Sequence, residues 1–349
     1  MAKKKRIGLL TGGGDCPGLN AAIRAVTKTA IPAGYEVVGI RNGWQGLLDN
    51  ETVILDRVNT SGIIDRGGTI LGTSRVSPLK VENGPQRVFD RMEELGLESV
   101  VVLGGEGTLS MSSQLFKMGL PVIGIPKTID NDVKGTDFTI GFQTAVQIAT
   151  DALDRLRSTA ESHHRVMLLE VMGHHTGWIA TYAGMANGAD AILIPEIPLD
   201  RAKVDELCQM LALRNTRGAF FSVVVVAEGT VLEGKVVEAF KPDTAASGEV
   251  PRLGGIASVL GDIIQRQTGL ETRVSSLGYV QRGGTPVAYD RSLATAFGVK
   301  AVRLAEDKKY GVMTALKGKR IAAVPLHEVE NKVKTVDLSI YRVAAIFFG

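Results

Sequence analysis

Cysteine is almost absent from this chain. Only Cys16 and Cys208 occur among 349 residues, far apart, so neither a disulfide framework nor a thiolate metal cage can be drawn. The five histidines add little. His163-His164 and His174-His175 are adjacent pairs without matched acids or thiols, which is weak support for zinc. Aromatics make up 5% of the chain, and no basic stripe carries them interleaved, which argues against a nucleic-acid surface. Neither sign of charge dominates: 40 lysines and arginines face 37 acids, a formal net charge of +3. The one basic cluster, Lys3-Lys4-Lys5-Arg6, runs straight into an apolar strand and reads as a solvated start. Long hydrophobic runs are missing too. The first is cut by Gly12-Gly13-Gly14-Asp15 before a secretory core can form, and the others fall far short of a membrane span. The expected setting is a reduced cytoplasm, without membrane or nucleic-acid partners.

What is present is a repeated grammar of apolar strand, glycine turn and helix. Strands are expected over 6–11, 35–41, 99–103 and 120–125, with helices over 20–31 and 109–117. The second half continues with helices at 142–158, 204–214, 256–267 and 289–306. Its strands are expected at 165–171, 191–195, 220–227 and 271–277. Residues 243–253 are polar and glycine-containing and read as a mobile loop or lid, and the tail 340–348 reads as a final buried strand. Such alternation predicts an α/β protein with largely parallel sheets, whose ligands sit beyond the carboxyl ends of the strands. The length suits two domains around a cleft, divided near residue 140, with the chain crossing back near its end.

Three loops carry the chemistry. Gly12, Gly13 and Gly14 let backbone N–H groups approach an anion, and the helix after Asn20 adds its positive end. The spacing matches neither the dinucleotide fingerprint nor the Walker loop, so a plain packing turn stays open. Gly104-Gly105-Glu106-Gly107-Thr108 repeats the logic with an acid able to reach a magnesium-bound phosphate, and Gly107 leaves room for a bulky group. The third loop is Lys127-Thr128-Ile129-Asp130-Asn131-Asp132. Aspartates two apart in an extended segment share a side, where one takes a proton while the other helps hold a metal. On this reading Asp130 accepts the proton of a substrate hydroxyl, Thr128 donates to the moving phosphoryl group, and Lys127 offsets the negative charge. Arg75, after the Gly67-Gly68 turn, is placed to bridge two phosphates. Arg165, Arg273 and Arg282 lie near expected strand ends and would gather around a phosphate on the acceptor.

With these residues in view, the chain resembles the phosphofructokinase family over nearly its whole length. The likeness rests on Gly13-Gly14-Asp15-Cys16-Pro17-Gly18-Leu19-Asn20, on 104–108, on 126–132, on Met172-Gly173 and on Gln281-Arg282-Gly283-Gly284. The resemblance implies two α/β domains with a cleft between them. Residues 1–140 would bind the donor, completed by a later crossover segment, and 141–349 would bind mainly the sugar phosphate. It implies magnesium-dependent transfer of the γ-phosphoryl group of ATP to the 1-hydroxyl of fructose 6-phosphate, giving fructose 1,6-bisphosphate and ADP. Asp130 then falls at the catalytic base and Asp132 at its neighbouring acid. Gly13, Arg75, Glu106, Gly107 and Thr108 fall on the donor side, with Glu106 at the magnesium-associated acid. Thr128, Met172, Gly173, Glu228, Arg273 and Arg282 fall at sugar-phosphate positions. Arg165 matches an arginine supplied across a subunit interface, so a homodimer or homotetramer with shared active sites is implied.

The family contains both ATP and pyrophosphate users, and this chain mixes their marks. Gly107 resembles the ATP users, whereas Lys127 resembles the pyrophosphate users. Gly107 weighs more, because an aspartate there would repel an α-phosphate, while a lysine at 127 suits either donor. Two positions depart from the family pattern. His174 stands where an arginine commonly follows Met-Gly, and Tyr279 stands where a histidine commonly contacts the sugar phosphate. Tyrosine can still donate a hydrogen bond, although the pair leaves another acceptor, such as sedoheptulose 7-phosphate, open.

Overall fold

The near-continuous apolar runs of this sequence become parallel strands buried on both faces, as such runs must where helices cover a sheet on each side. The structure is a computed structural model that describes residues 5–240 and 252–349. Two compact units emerge, one from Met1–Thr144 with Arg282–Lys334 and one from Ala145–Gln281 with Thr335–Gly349.

The first unit opens with β1 (Lys5–Thr11), α1 (Leu19–Ala30), β2 (Tyr35–Ile40), α2 (Trp44–Asp49) and β3 (Thr52–Leu55). It continues through α3 (Gly84–Leu95), β4 (Leu97–Gly104), α4 (Glu106–Lys117), β5 (Val122–Thr128) and the two-residue β6 (Ile140–Gly141). The chain leaves inside α5 (Phe142–His163). The second unit holds β7 (Val166–Val171), α6 (Trp178–Asn187), β8 (Ala191–Leu193), α7 (Arg201–Thr216) and β9 (Ser222–Ala227). After it come β10 (Glu238–Phe240), β11 (Arg252–Leu253), α8 (Ile256–Thr268) and β12 (Thr272–Ser276). The chain returns to the first unit with α9 (Ala288–Glu306), β13 (Val312–Lys317) and β14 (Arg320–Pro325), then ends in the second with α10 (Leu338–Ala345).

The first unit's sheet runs β14-β13-β5-β4-β1-β2-β3, with β6 beside β5. It is parallel except where β3 and β14 pair antiparallel at the two edges. The second unit's sheet, β12-β7-β9-β8, is wholly parallel. Each sheet contributes to its own apolar core. Ile40, Trp44, Val100, Val102 and Leu115 sit in one, and Leu168, Leu211, Val224, Val226 and Leu260 in the other.

One polar anchor decides how the first unit closes. Asp290 on α9 is wholly buried and accepts from Gly141 N (3.0 Å), Thr144 N (2.8 Å) and Thr144 Oγ1 (2.5 Å). It thereby fixes β6 and the start of α5. Burial raises its pKa and the three donors oppose that rise. Asp290→Ala orphans all three donors and is expected to cost about 3–5 kcal/mol. Urea unfolding followed by circular dichroism checks it, with Asp290→Asn expected to lose less.

Three features differ from the sequence expectation. The tail is not a buried strand but α10, because Asp337 caps it by accepting Ser339 N at 2.8 Å, and Tyr341 Oη reaches Ile192 O at 2.9 Å. No element is expected at α2, β3, α3, α6 or the β13–β14 hairpin, yet all of them form. The α3 segment is mostly polar with only Gly84, Val88 and Met92 buried, so its periodic stripe is thin. Residues 243–251 of the expected lid lie outside the described residues, while its last two residues form β11 against β10.

Candidate active site

The sheet order of the first unit places a switch point between β1 and β4. From β1 the chain builds outward to β2, and from β4 it builds the other way to β5. Ligands of such sheets bind at the carboxyl ends flanking that point. Both strands end there in glycine turns. Thr108 is wedged between them: a Cβ at Gly12 would lie 2.9 Å from Thr108 Cγ2, and one at Gly104 would lie 2.4 Å from Thr108 Cβ. Glycine is therefore required by close approach at both turns. Gly13 N donates to Ser74 O (2.9 Å), and Thr73 Oγ1 donates to Gly13 O (2.6 Å). These bonds tie segment 73–75 to the first turn and set the exposed Arg75 beside it. Arg282 rests on the same turn, its guanidinium 3.4 Å from Asp15 O.

Glu106, Gly107 and Thr108 form the first turn of α4, where free N–H groups and the helix dipole favour phosphate. Glu106 is half-buried and burial raises its pKa, against a backbone hydrogen bond from Asn331. Gly107 is exposed, and a Cβ there would meet nothing within 4 Å. Position 107 therefore has room for a side chain.

Beside these turns β5 delivers the acidic loop. Lys127 is 1% exposed, its Nζ donates to Gly14 O beneath the first turn, and burial lowers its pKa. Thr128 Oγ1 donates to Asp130 Oδ2 (3.1 Å) and accepts from Asp130 N (3.1 Å). Its single hydrogen thus goes to Asp130, whereas the sequence reading has it donating to the moving phosphoryl group. The two acids do not share a side by strand alternation, as the sequence reading expects. Asn131 between them has φ 52°, the left-handed region, so the segment turns instead of extending. Proximity survives: Asp132 is pushed well above the ordinary carboxylate range, first by burial and then by the charge of Asp130, with Glu106 adding and Lys334 opposing.

Among the described residues, no three His, Cys, Asp or Glu side chains are placed to cage a metal. Magnesium needs less, since it takes one or two carboxylates together with substrate phosphates and water. Asp132 Oδ1 is buried without a hydrogen-bond partner, the condition of a carboxylate oxygen suited to a cation. A raised folded pKa means the native state binds protons more tightly. The metal-free protein should lose stability as pH rises from about 4 through neutrality. Asp132→Asn should flatten that slope and raise the melting temperature at pH 8, which thermal scans between pH 4 and 8 would show.

In the second unit, Met172, Gly173 and His174 follow β7 and Glu228 follows β9, at adjacent carboxyl ends. Glu228 Oε1 accepts His174 N (3.0 Å), and a Cβ at Gly229 would lie 2.0 Å from His174 O. Gln281, wholly buried, accepts Met172 N at 2.8 Å through Oε1. That support role is missed from sequence, where Gln281 is only part of a motif. Tyr279 is 65% exposed on the short 3-10 helix Gly278–Arg282. Arg165 and Arg273 stand elsewhere. Arg165 precedes β7 and Arg273 is the second residue of β12, and both pair with Glu271, Arg165 at 2.9 Å. Six residues of β7 separate Arg165 from Met172, which is about 20 Å of strand. Arg165 and Arg273 thus share Glu271 in the second unit, and Arg282 lies on the first unit's glycine turn.

Comparison with known proteins fixes the family. The phosphofructokinase family profile matches residues 6–305, and this chain belongs to that family. It is 48% identical over 347 residues to a pyrophosphate–fructose 6-phosphate 1-phosphotransferase of Streptomyces coelicolor, covering 99% of this chain and all of that one. It is 49% identical over 332 residues to ATP-dependent 6-phosphofructokinase 3 of the same organism, covering 95% and 96%. Among solved structures, phosphofructokinase from Saccharomyces cerevisiae matches with a TM-score of 0.82 at 32% identity. That match covers 99% of this chain, which spans about half, 47%, of the yeast chain. Relatives named for different donors are therefore equally similar overall, and the donor must be argued from the site.

Proposed function

We propose that this chain is an ATP-dependent 6-phosphofructokinase, transferring the γ-phosphoryl group of ATP to the 1-hydroxyl of fructose 6-phosphate. The observation that carries the reading is Asp130, buried at the carboxyl end of β5, gripped by Thr128 and next to a second acid whose pKa is raised. Asp130 takes the proton of the 1-hydroxyl as that oxygen bonds to phosphorus, and ADP leaves with the electron pair of the broken bond. Backbone N–H groups of the two glycine turns and the first turn of α4 hold the donor phosphates, while Arg75 bridges them. Magnesium, when bound, neutralises charge on the donor phosphates, and Asp132 with Glu106 would hold it. Met172, Gly173, His174, Glu228, Tyr279 and Arg282 serve the sugar phosphate, with Thr128 orienting the base, while Arg273, which shares Glu271 with Arg165, would serve the sugar phosphate of a neighbouring copy. Donor binding is assigned to the first unit. The reaction belongs in the cytoplasm. No helix among the described residues is long and apolar enough to cross a membrane.

ATP is preferred over pyrophosphate because the open space at Gly107 admits the α-phosphate. A second reading, pyrophosphate as donor, draws on Lys127, whose buried ammonium lies under the first glycine turn. Initial rates with ATP and pyrophosphate against fructose 6-phosphate and sedoheptulose 7-phosphate, at matched magnesium, test both readings. Activity with neither donor would overturn the proposal.

The strand length separating Arg165 from Met172 supports a shared site, because one small sugar phosphate cannot touch both ends of β7 in a single chain. A homodimer or homotetramer follows, in which Arg165 serves a neighbouring copy. Arg165→Ala and Asp130→Asn proteins, each inactive alone, should regain activity when unfolded together and refolded as hybrids. Mixtures that stay at the level of the separate variants would refute sharing.

A further inference from the structure

Lys334 lies outside residues 6–305 that the family profile matches, yet it reaches the middle of the acidic loop. Its ammonium donates to Asn131 Oδ1 at 3.0 Å, Thr136 O at 2.9 Å and Asp137 O at 2.9 Å. The backbone joins in. Lys334 N donates to Asp132 O at 2.8 Å, and Val333 bridges antiparallel to Val133. Residues 333–334 thus lie along the loop as a short added strand, and the ammonium closes its far side.

The residue gripped is the one that sets the geometry of the two acids. Asn131 is wholly buried at φ 52°, the left-handed region that asparagine enters more readily than most side chains, and its side chain is held there by a closed hydrogen-bond network. Its Oδ1 accepts Thr139 N (3.1 Å) as well as Lys334, and its Nδ2 donates to Asp137 O (3.3 Å). Thr139 in turn donates through Oγ1 to Thr128 O at 2.7 Å, returning the network to the end of β5. A neutral side chain at 334 would leave two carbonyls and an amide oxygen short of a charged donor inside a tight turn. The turn would then relax where Asp130 and Asp132 are oriented.

We infer that Lys334 is a positioning residue for the acidic loop: by holding Asn131 in its left-handed turn, it sets Asp130 and Asp132 relative to one another. This rests on the proposed phosphoryl transfer for its kinetic consequence, but not for its structural one. A role in positioning, unlike one in substrate binding, acts on turnover far more than on the Michaelis constant.

The test uses the full-length protein with Lys334→Met and Lys334→Cys. The only native thiols, Cys16 and Cys208, are buried, so 2-bromoethylamine can convert a cysteine at 334 to an aminoethyl side chain close to lysine in length. For Lys334→Met, kcat with fructose 6-phosphate is expected to fall about 30-fold or more, the scale for losing a charged donor in a buried network, with KM changing by less than about threefold. Aminoethylated Lys334→Cys should recover most of the turnover, whereas the same variant capped with iodoacetamide should not. Hydrogen exchange gives an arm independent of activity. The Thr139 amide should exchange about tenfold faster in Lys334→Met and slow again after aminoethylation. Should the wild-type protein phosphorylate no sugar phosphate with either donor, the functional reading falls and the exchange arm still decides this inference. Turnover within threefold of wild type in Lys334→Met, a loss that the restored amine leaves unrepaired, or unchanged Thr139 exchange would each overturn it.

Discussion

Asp130→Asn should leave a folded protein that binds fructose 6-phosphate nearly as well as wild type but turns it over about 10²–10⁴ times more slowly, the range supplied by a positioned general base. The geometry makes this a clean substitution. Asparagine keeps the shape, and its amide oxygen can still accept from Thr128 Oγ1, as Asp130 Oδ2 does at 3.1 Å. What it loses is the capacity to take a proton. Removing a negative charge beside Asp132 also relieves the second of the causes that raise that carboxyl's pKa, so the variant should be no less stable near neutral pH. Rates of fructose 1,6-bisphosphate formation, set against equilibrium binding of fructose 6-phosphate, separate the two effects. A folded variant with turnover within tenfold of wild type would show that another group accepts the proton.

The parts of this site that sequence makes legible are those written locally. Strands ending in Gly12-Gly13-Gly14 and Gly104-Gly105 announce themselves because an apolar run of five or six residues stops at residues with little side chain. The structure adds the reason: Thr108 fills the space that a Cβ at Gly12 or Gly104 would need. The loop at 127–132 is legible as chemistry because charged residues cluster at the end of an apolar strand. Its shape is not. The asparagine at 131 is itself a local hint of a left-handed residue, but the groups that hold its side chain there, Thr139 and, some two hundred positions away, Lys334, are not. Asp290 and Gln281 escape for the same reason, each acting through hydrogen bonds to backbone far along the chain. The misjudged tail is a different failure. Its apolar residues suggest a buried strand, yet only Ala344 of α10 is buried, and the Asp337 cap sets the helix. Arg165 and Arg273 show the limit of reading strand ends without their direction. Both lie at the starts of β7 and β12, opposite to the carboxyl ends where Met172 and Glu228 meet.

Gly107→Asp should exchange donors without disturbing the fold. Position 107 is the second residue of α4, a Cβ there meets nothing within 4 Å, and its φ is not among the positive values. An acid in the first turn is favoured by the helix dipole, so the melting temperature should stay level or rise slightly. The cost falls on ATP. A carboxylate about 4 Å from an α-phosphate oxygen, at the screening typical of a protein surface, opposes binding by about 4 kcal/mol, or about a thousandfold. Pyrophosphate carries no α-phosphate or nucleoside and escapes most of that penalty. The ratio of kcat/KM for ATP to that for pyrophosphate should therefore drop by about three orders of magnitude, even if absolute activity with pyrophosphate stays small. Lys127 favours this outcome, because its buried ammonium under the first glycine turn is already in place to balance the added charge. If ATP turnover survives in a folded Gly107→Asp protein, the α-phosphate does not pass near α4. Gly107 would then lose its standing as the reason to prefer ATP, and the choice of donor would rest on Lys127 alone.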